Sequence, residues 1–435
     1  MTTTIKNYRW YILVLLFVAT TINYLDRQII GLLKPILETE FDWSETDFAY
    51  IVMAFTAAYA IGLLFFGWFV DKVGTKRGYS IIVGLWSLAG MLHAAARGAW
   101  GFALARLGLG LGEAGNFPAG VKAVSEWFPK KEKALATGIF NSGTSIGVIV
   151  ALLLVPWILR HYGWHEVFLI TGALGFIWMA FWYFMYSSPE KSKFISEEER
   201  ALIRNGQEEG EVLEKVPIKW FKLFSFPQTW AFVVGKAFID PIFWFFLFWL
   251  PAYFSSAFNL DLTKPSFELM IIYTSTTVGS IGGGYLSSWL IKKGWPTLKA
   301  RKTVLLVFAV CEISIILVQF ASSMWMVVGL ISLAVAIHQA WATNIFTIAS
   351  DLFPTQAVSS IVGIGGMAGA VGGILFPMLV GTLLDYYDGL GNITAGYNIL
   401  FTVCGFTYLI TYLIIHLLTR KASRVRLEDI VQTNA

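Results

Sequence analysis

The sequence predicts an all-α polytopic membrane protein of twelve transmembrane helices in two six-helix halves. Three observations carry that expectation. Of 435 residues, 56% are apolar and only 14% are Asp, Glu, Lys or Arg, about half the charged fraction of a soluble domain. The apolar residues gather into stretches of roughly 20, the length that crosses a hydrocarbon core about 30 Å thick. One polar interval, Ser188 to Gln228, separates six such stretches from six more. Disordered, collagen-like and disulfide-scaffold classes are excluded by composition. Cys311 and Cys404 lie in apolar runs and carry no redox information.

Residues 1–187 are expected to form the first half, with spans at 11–33, 47–70, 78–97, 100–122, 136–158 and 165–187. The first span is too long for a signal-peptide core and lacks a small-residue cleavage site, so it is kept as a helix. Residues 188–228 form a polar, partly helical linker containing EKSKFISEEERALIRNGQEEGEVLEKVPIK. Residues 229–418 form the second half, with spans at 229–256, 266–291, 303–321, 324–349, 358–383 and 396–418, and 419–435 a short tail. Of the 32 Lys and Arg, 25 fall in segments on the side of the N-terminus, four on the opposite side and three within spans. This positive bias places both termini and the linker in the cytoplasm and the protein in the inner or plasma membrane. The basic residues are scattered through short loops, so no nucleic-acid partner is expected, and a monomer is.

Charges inside the spans are the functional candidates, because each costs roughly 3 kcal/mol or more at the bilayer centre. They are Asp26 and Arg27 in the first span, Arg106 and Glu113 in the fourth, Lys236 and Asp240 in the seventh, and Glu312 in the ninth; the tenth adds His338, Gln339 and Asn344. Except for Glu312, all sit on spans one, four, seven and ten. That period of three fits three-helix repeats nested in two halves, whose first helices line a central cavity. Arg106 and Glu113 are seven residues apart and share a face. Lys236 and Asp240, four apart, can pair directly, either in the site or as a brace for a helix kinked at Pro241. Asp26 and Arg106 lie at matching depth and could pair, with Arg27 the other cation within reach of Asp26; Glu113 lies deeper and reads as partnerless. Glu312 reads as a structural ion pair on a peripheral helix. His338 reads equally as a core histidine or a substrate contact.

The segment after the second span is Gly67-Trp-Phe-Val-Asp71-Lys72-Val-Gly74-Thr-Lys76-Arg77. Gly67 permits close helix approach, Asp71 can cap and pair with a neighbouring helix end, and the basic residues are expected to lock that side. This run matches the signature G-x-x-x-D-[RK]-x-G-x-[RK]-[RK], and the chain thereby resembles the major facilitator superfamily. A degraded copy, Gly284 to Ser288 with Gly294, Arg301 and Lys302, agrees with two related halves. Within that superfamily the chain resembles the anion:cation symporter family. The carrying residues are Asn23-Tyr-Leu-Asp26-Arg27, Arg106 to Pro118, and Phe140-Asn141-Ser142-Gly143. Asp240 to Pro251, His338 to Asn344 and Asp351-Leu-Phe-Pro354 point to its hexuronate-carrying branch.

The resemblance implies proton-coupled uptake of a hexuronate such as glucuronate or galacturonate by alternating access, with the proton as coupling ion and no other cofactor. It implies that Arg27 meets the substrate carboxylate, that Asp26 and Glu113 carry protons, that Arg106 tunes Asp26, and that Tyr59 borders the site. Thr144 stands where hexonate-type relatives have an amide. The physics agrees. A planar two-pronged donor suits a carboxylate, which favours Arg over Lys. One proton per anion removes the opposition of a cytoplasm-negative potential, about 2.3 kcal/mol per elementary charge at 100 mV. Hydroxyls would meet Tyr59, Asn141, Thr144, His338, Gln339 or Asn344, and a ring face could stack on Trp244 or Trp341. Carriers of hexonates, aldarates, aromatic or dicarboxylic acids are the alternative. A phosphate-ester antiporter would want a second arginine where Lys236 stands. No Walker loop, His-Glu-x-x-His or cysteine cluster supports an enzyme.

Overall fold

The computed structural model describes residues 5–43, 45–206, 218–258, 267–420 and 423–430, and the elements described are helical apart from one isolated bridge. The first half contains α1 (Tyr8–Phe41), α2 (Glu45–Val73), α3 (Thr75–Leu92), α4 (Gly98–Glu113), α5 (Asn116–Trp127), α6 (Lys130–His161) and α7 (Trp164–Met185). The linker supplies the short α8 (Glu197–Gly206). The second half contains α9 (Pro227–Ala237), α10 (Asp240–Phe258), α11 (Phe267–Lys292), α12 (Thr297–Glu312), α13 (Met324–Leu352), α14 (Val358–Gly389) and α15 (Ile393–Leu418). Ten stretches of the described residues are long and apolar enough to cross a membrane. The other two expected spans are present as helix in α4–α5 and in α11, which is rich in Gly, Ser and Thr.

Three spans are interrupted, each beside a carboxyl, of which Glu113 and Glu312 are fully buried and Asp240 is partly exposed. The fourth breaks at Ala114–Gly115, immediately after Glu113. The seventh breaks at Phe238–Ile239, before Asp240 and Pro241. Pro241 has no N–H for a continuous ladder, and its ring fits the first turn of a new helix. The ninth changes from α12 to a 3-10 helix, Ile313–Phe320, directly after Glu312. The kink expected at Pro241 is therefore a full break.

The halves meet on the face that carries the termini. A Cβ on Gly67 would stand 2.6 Å from the Ser359 carbonyl oxygen and 3.2 Å from Gly363 Cα, so α2 and α14 touch backbone to backbone. Gly284 repeats this against α6, where a Cβ would lie 2.2 Å from Ala134 O. Nearer the middle of the bundle, a Cβ on Gly138 would lie 2.4 Å from Ser280 O. At the opposite face the aromatic contacts among the described residues stay within one half. Phe41 and Trp43 pack on Phe102, and Tyr253 packs on Tyr397 and Phe401.

Linker and tail both dock on the terminal face. Ile5 bridges Ile195, and Ile5 N donates to Phe194 O at 2.8 Å. Glu199 of α8 accepts from Tyr8 N (2.8 Å) and Arg9 N (3.2 Å), satisfying free donors at the start of α1. Val425 N in the tail donates to Leu352 O at 2.9 Å, and Lys219 N donates to Ile430 O at 2.7 Å.

Candidate functional site

Arg27 lies on α1 midway through the bundle and is held in an aromatic cage. Its guanidinium stands 4.6 Å from the Tyr24 ring centre, 5.1 Å from Phe55 and 4.7 Å from Tyr59. Such faces attract a cation by about 1 kcal/mol each. Its Nε donates to Glu113 Oε2 at 3.0 Å, while Nη2 and Glu113 Oε1 are buried without a protein partner. Glu113 has no exposed surface and the Arg27 side chain is 13% exposed. Tyr59 is thus one wall of the cage around Arg27.

This arrangement corrects the expected pairing. Glu113 is the partner of Arg27, not a lone carboxyl. Asp26 pairs with no cation among the described residues; both its oxygens are buried without a hydrogen bond. Arg106 donates from Nη1 to the Arg27 carbonyl at 3.4 Å and leaves Nε and Nη2 without partners. Equal depth does not fix azimuth: Arg27 is turned about 100° from Asp26 around α1, and that turn aims it at Glu113.

In the second half, Lys236 Nζ donates to Asp240 Oδ2 at 2.7 Å across the α9–α10 break, with Nζ 4.4 Å from the Phe346 ring centre. Asp240 packs against α14, where a Cβ on Gly369 would lie 2.3 Å from its Oδ2. Phe346 stacks on Phe117 of the first half at 5.3 Å. His338 Nδ1 lies 2.8 Å from the Tyr408 hydroxyl, and its ring stacks on Phe243 at 4.8 Å.

The expected hydroxyl readers lie largely in the contact between the halves. Asn141 donates to Gln339 Oε1 (2.7 Å) and Ser280 Oγ (3.0 Å). Asn344 donates to Gly283 O (3.1 Å) and Ala340 O (2.9 Å), which ties α13 to α11 rather than to the space between halves. Thr144 is buried on α6. Trp341 packs edge-on against Tyr408 at 5.4 Å and Trp244 lies on Gly373 of α14, so both rings are occupied inside the second half. Glu312 has no ion-pair partner among the described residues: it is fully buried with both oxygens unbonded, which corrects its reading as a structural pair.

The glycine-rich signature closes the terminal face. Gly74 adopts φ +92°, a conformation open to glycine, and turns the chain from α2 into α3. Asp71 accepts from the N–H groups of Ser360 (2.7 Å) and Ser359 (3.3 Å) at the first turn of α14 and pairs with Lys122 Nζ at 2.6 Å. A carboxylate there answers the positive end of the helix dipole. Lys72 and Lys76 rest over Trp68 (4.7 Å) and Tyr183 (4.9 Å) in their own half. Arg77 takes no hydrogen bond or ion pair in the described contacts. The cation that pairs with Asp71 is Lys122. It lies at the predicted end of a span, where spacing gave it no assigned partner. Beside it, Glu126 accepts from Thr75 Oγ1 at 2.6 Å and from the Tyr186 hydroxyl, and burial pushes its carboxyl above the ordinary range. The degenerate copy has the same plan. Ser288 Oγ accepts from Leu135 N at 3.3 Å, and buried Arg301 pairs with Asp351 at 3.1 Å and donates to Lys130 O at 3.3 Å.

Two broken helices that present ion pairs, in halves that meet at one face, are the plan of a membrane transporter. Residues 16–377 match the family model described as Major Facilitator Superfamily. The chain is 32% identical over 405 residues to the hexuronate transporter of Escherichia coli K12, covering 92% of this chain and 91% of that one. It is 34% identical over 283 residues to the galacturonate transporter of Dickeya chrysanthemi, covering 65% and 82%. Among solved structures it resembles the proton:xylose symporter XylE, with a TM-score of 0.72 at 13% identity over 93% of this chain and 94% of that one. The chain belongs to the Major Facilitator Superfamily. It is a multi-pass membrane transporter and not an enzyme.

Proposed function

We propose that the protein carries a sugar acid, a hexuronate such as glucuronate or galacturonate, into the cell together with protons. The carrying observation is the caged Arg27 with one donor on Glu113 and Nη2 without a partner. Protonation of Glu113 removes its charge and frees Nε, so that Arg27 offers two parallel donors to a carboxylate. Proton uptake and anion capture are then one event: the guanidinium exchanges one carboxylate for another, and the buried charge stays balanced. Asp26, without a cation partner, is the second proton carrier, and Arg106 donates to the Arg27 carbonyl beside it. The names of the relatives support the substrate class: hexuronate, galacturonate, and D-galactonate at 28% identity. Both termini face the cytoplasm in this reading, and the protein acts as a monomer.

The test is uptake of labelled glucuronate and galacturonate into proteoliposomes under an inward proton gradient, with gluconate, galactonate, glucarate and an aromatic acid as competitors. Gradient-driven uptake displaced only by hexuronates supports the reading. Uptake indifferent to the gradient removes the proton, and displacement by another acid moves the substrate to that class.

A further inference from the structure

Behind the Arg27–Glu113 pair, between α1, α3, α4 and α7, lies a second polar group of side chains. His93 follows α3 in the one-turn 3-10 helix His93–Ala95 and has no exposed surface. Its Nδ1 lies 2.8 Å from Ala89 O and 3.2 Å from Gly90 O, both acceptors, so Nδ1 carries the proton and Nε2 is the lone-pair nitrogen. Nε2 is buried without a protein partner. Phe168 of α7 stacks on the ring at 4.9 Å and Phe102 of α4 meets its edge at 6.0 Å, which fixes the direction of Nε2. Both oxygens of Asp26, Nε and Nη2 of Arg106 and Ser87 Oγ are likewise buried and unpartnered.

These atoms are complementary: arginine donors, carboxylate and imidazole acceptors, and a hydroxyl that is either. A buried polar atom left unsatisfied is costly, and bridging water is the usual remedy in a polar site. Their order along the membrane normal is informative. α3 ends on the face opposite the termini, so His93 is outermost. Arg106 lies four residues beyond Phe102 on α4, about one turn deeper, and reaches α1 at the Arg27 carbonyl (3.4 Å), next to Asp26. From α4 the imidazole meets the Phe102 ring, with Arg106 one turn further along that helix, and from α7 it meets the Phe168 ring.

We propose that this is a hydrated proton path inside the first half, with His93 Nε2 as the relay that takes protons from the open face and passes them through water to Asp26. The proposal rests on the proton-symport reading. In the step, the Nε2 lone pair accepts a proton, the resulting N–H gives it to a bridging water, that water protonates the Asp26 carboxylate, and the neutral Nδ1–H ring is restored. A second positive charge beside Arg106 is unfavourable, so the proton moves on to the carboxylate rather than resting on the ring.

The experiment compares wild type, His93→Phe and His93→Gln in proteoliposomes. Phe keeps the stack on Phe168; Gln keeps a polar end that takes no proton. Gradient-driven uptake falls by about tenfold or more in both, while counterflow exchange at equal pH on the two sides, which needs no net proton transfer, stays within twofold of wild type. Wild-type driven uptake by either variant overturns the relay, and so does a parallel loss of counterflow, which marks a packing role. Absence of driven uptake in wild type itself defeats the symport reading, and the relay with it.

Discussion

Arg27 and Glu113 are each the main reason the other tolerates burial. Breaking a buried pair from one side leaves an uncompensated charge, at a cost of about 3–5 kcal/mol. Arg27→Ala is therefore expected to lower the stability of the purified protein by about 3 kcal/mol and to abolish binding of the anion. Arg27→Ala combined with Glu113→Gln is expected to regain most of that stability and none of the binding. Denaturant titration of the singles and the double decides it; strictly additive losses would show that the two groups do not depend on each other. Glu113→Gln alone separates the roles further, losing proton-driven uptake while counterflow remains measurable. Full driven uptake by that variant would remove Glu113 from coupling. The sequence displayed all of these charges and the spans that hold them, because a charge in an apolar run is conspicuous. It did not display their pairing. Asp26 and Arg27 are neighbours in sequence, and only the rotation of α1 and the break after Glu113 decide which one meets a partner. His93 escaped notice for a related reason: it falls at the end of an apolar run, where sequence reads as boundary, and its burial comes from Phe102 and Phe168 on two other helices.

The elements around the glycine-rich turn act as a latch between the halves. Asp71 binds two N–H groups of α14 and one lysine of α5. Asp71→Asn keeps the shape and removes the charge that complements the helix dipole, worth about 1 kcal/mol. The expected result is a shift toward the state open on the terminal face, read as faster thiol labelling of a cysteine placed at Ser359. Unchanged labelling would mean that the backbone contact at Gly67 suffices. Glu126, next to the latch, gives a pH signature. Its folded carboxyl titrates above the unfolded one, so folding binds a proton there; the contribution is present at low pH and is lost as pH rises through the folded value. Glu126→Gln removes this term. The stability of wild type relative to the variant is expected to decline as pH rises from about 4, the unfolded carboxyl range, and a flat difference would show that Glu126 does not titrate differently on folding. The motif itself was legible in the sequence because its spacing is local. Lys122 and the docking of Glu199 on the start of α1 were not, because they depend on which helices become neighbours.

At the scale of the molecule, the two halves contact each other through α2 with α14 and α6 with α11, each pair touching at a glycine. Both pairs lie toward the terminal face, and the Arg27 cage lies above them, toward the face where the described contacts stay within each half. Rigid halves joined at one end can expose the cage to the other side only by parting at these glycines and meeting elsewhere. Holding one pair together should therefore arrest transport without touching the site. Leu135 and Ser288 suit this, because Leu135 N and Ser288 Oγ are 3.3 Å apart, which brings the two residues near the separation of about 4.4–6.8 Å between Cα atoms that a disulfide spans. Oxidised Leu135→Cys/Ser288→Cys protein is expected to bind the anion from the face opposite the termini with wild-type affinity and to show no uptake. A reducing agent should restore uptake in the same vesicles. Transport by the cross-linked protein would show that the α6–α11 contact persists through the cycle, and would place the moving interface at α2 and α14 alone. Binding lost together with transport would instead show that the cage is assembled only after the halves part. The experiment thus asks whether the contacts that build this fold are the ones that transport must break.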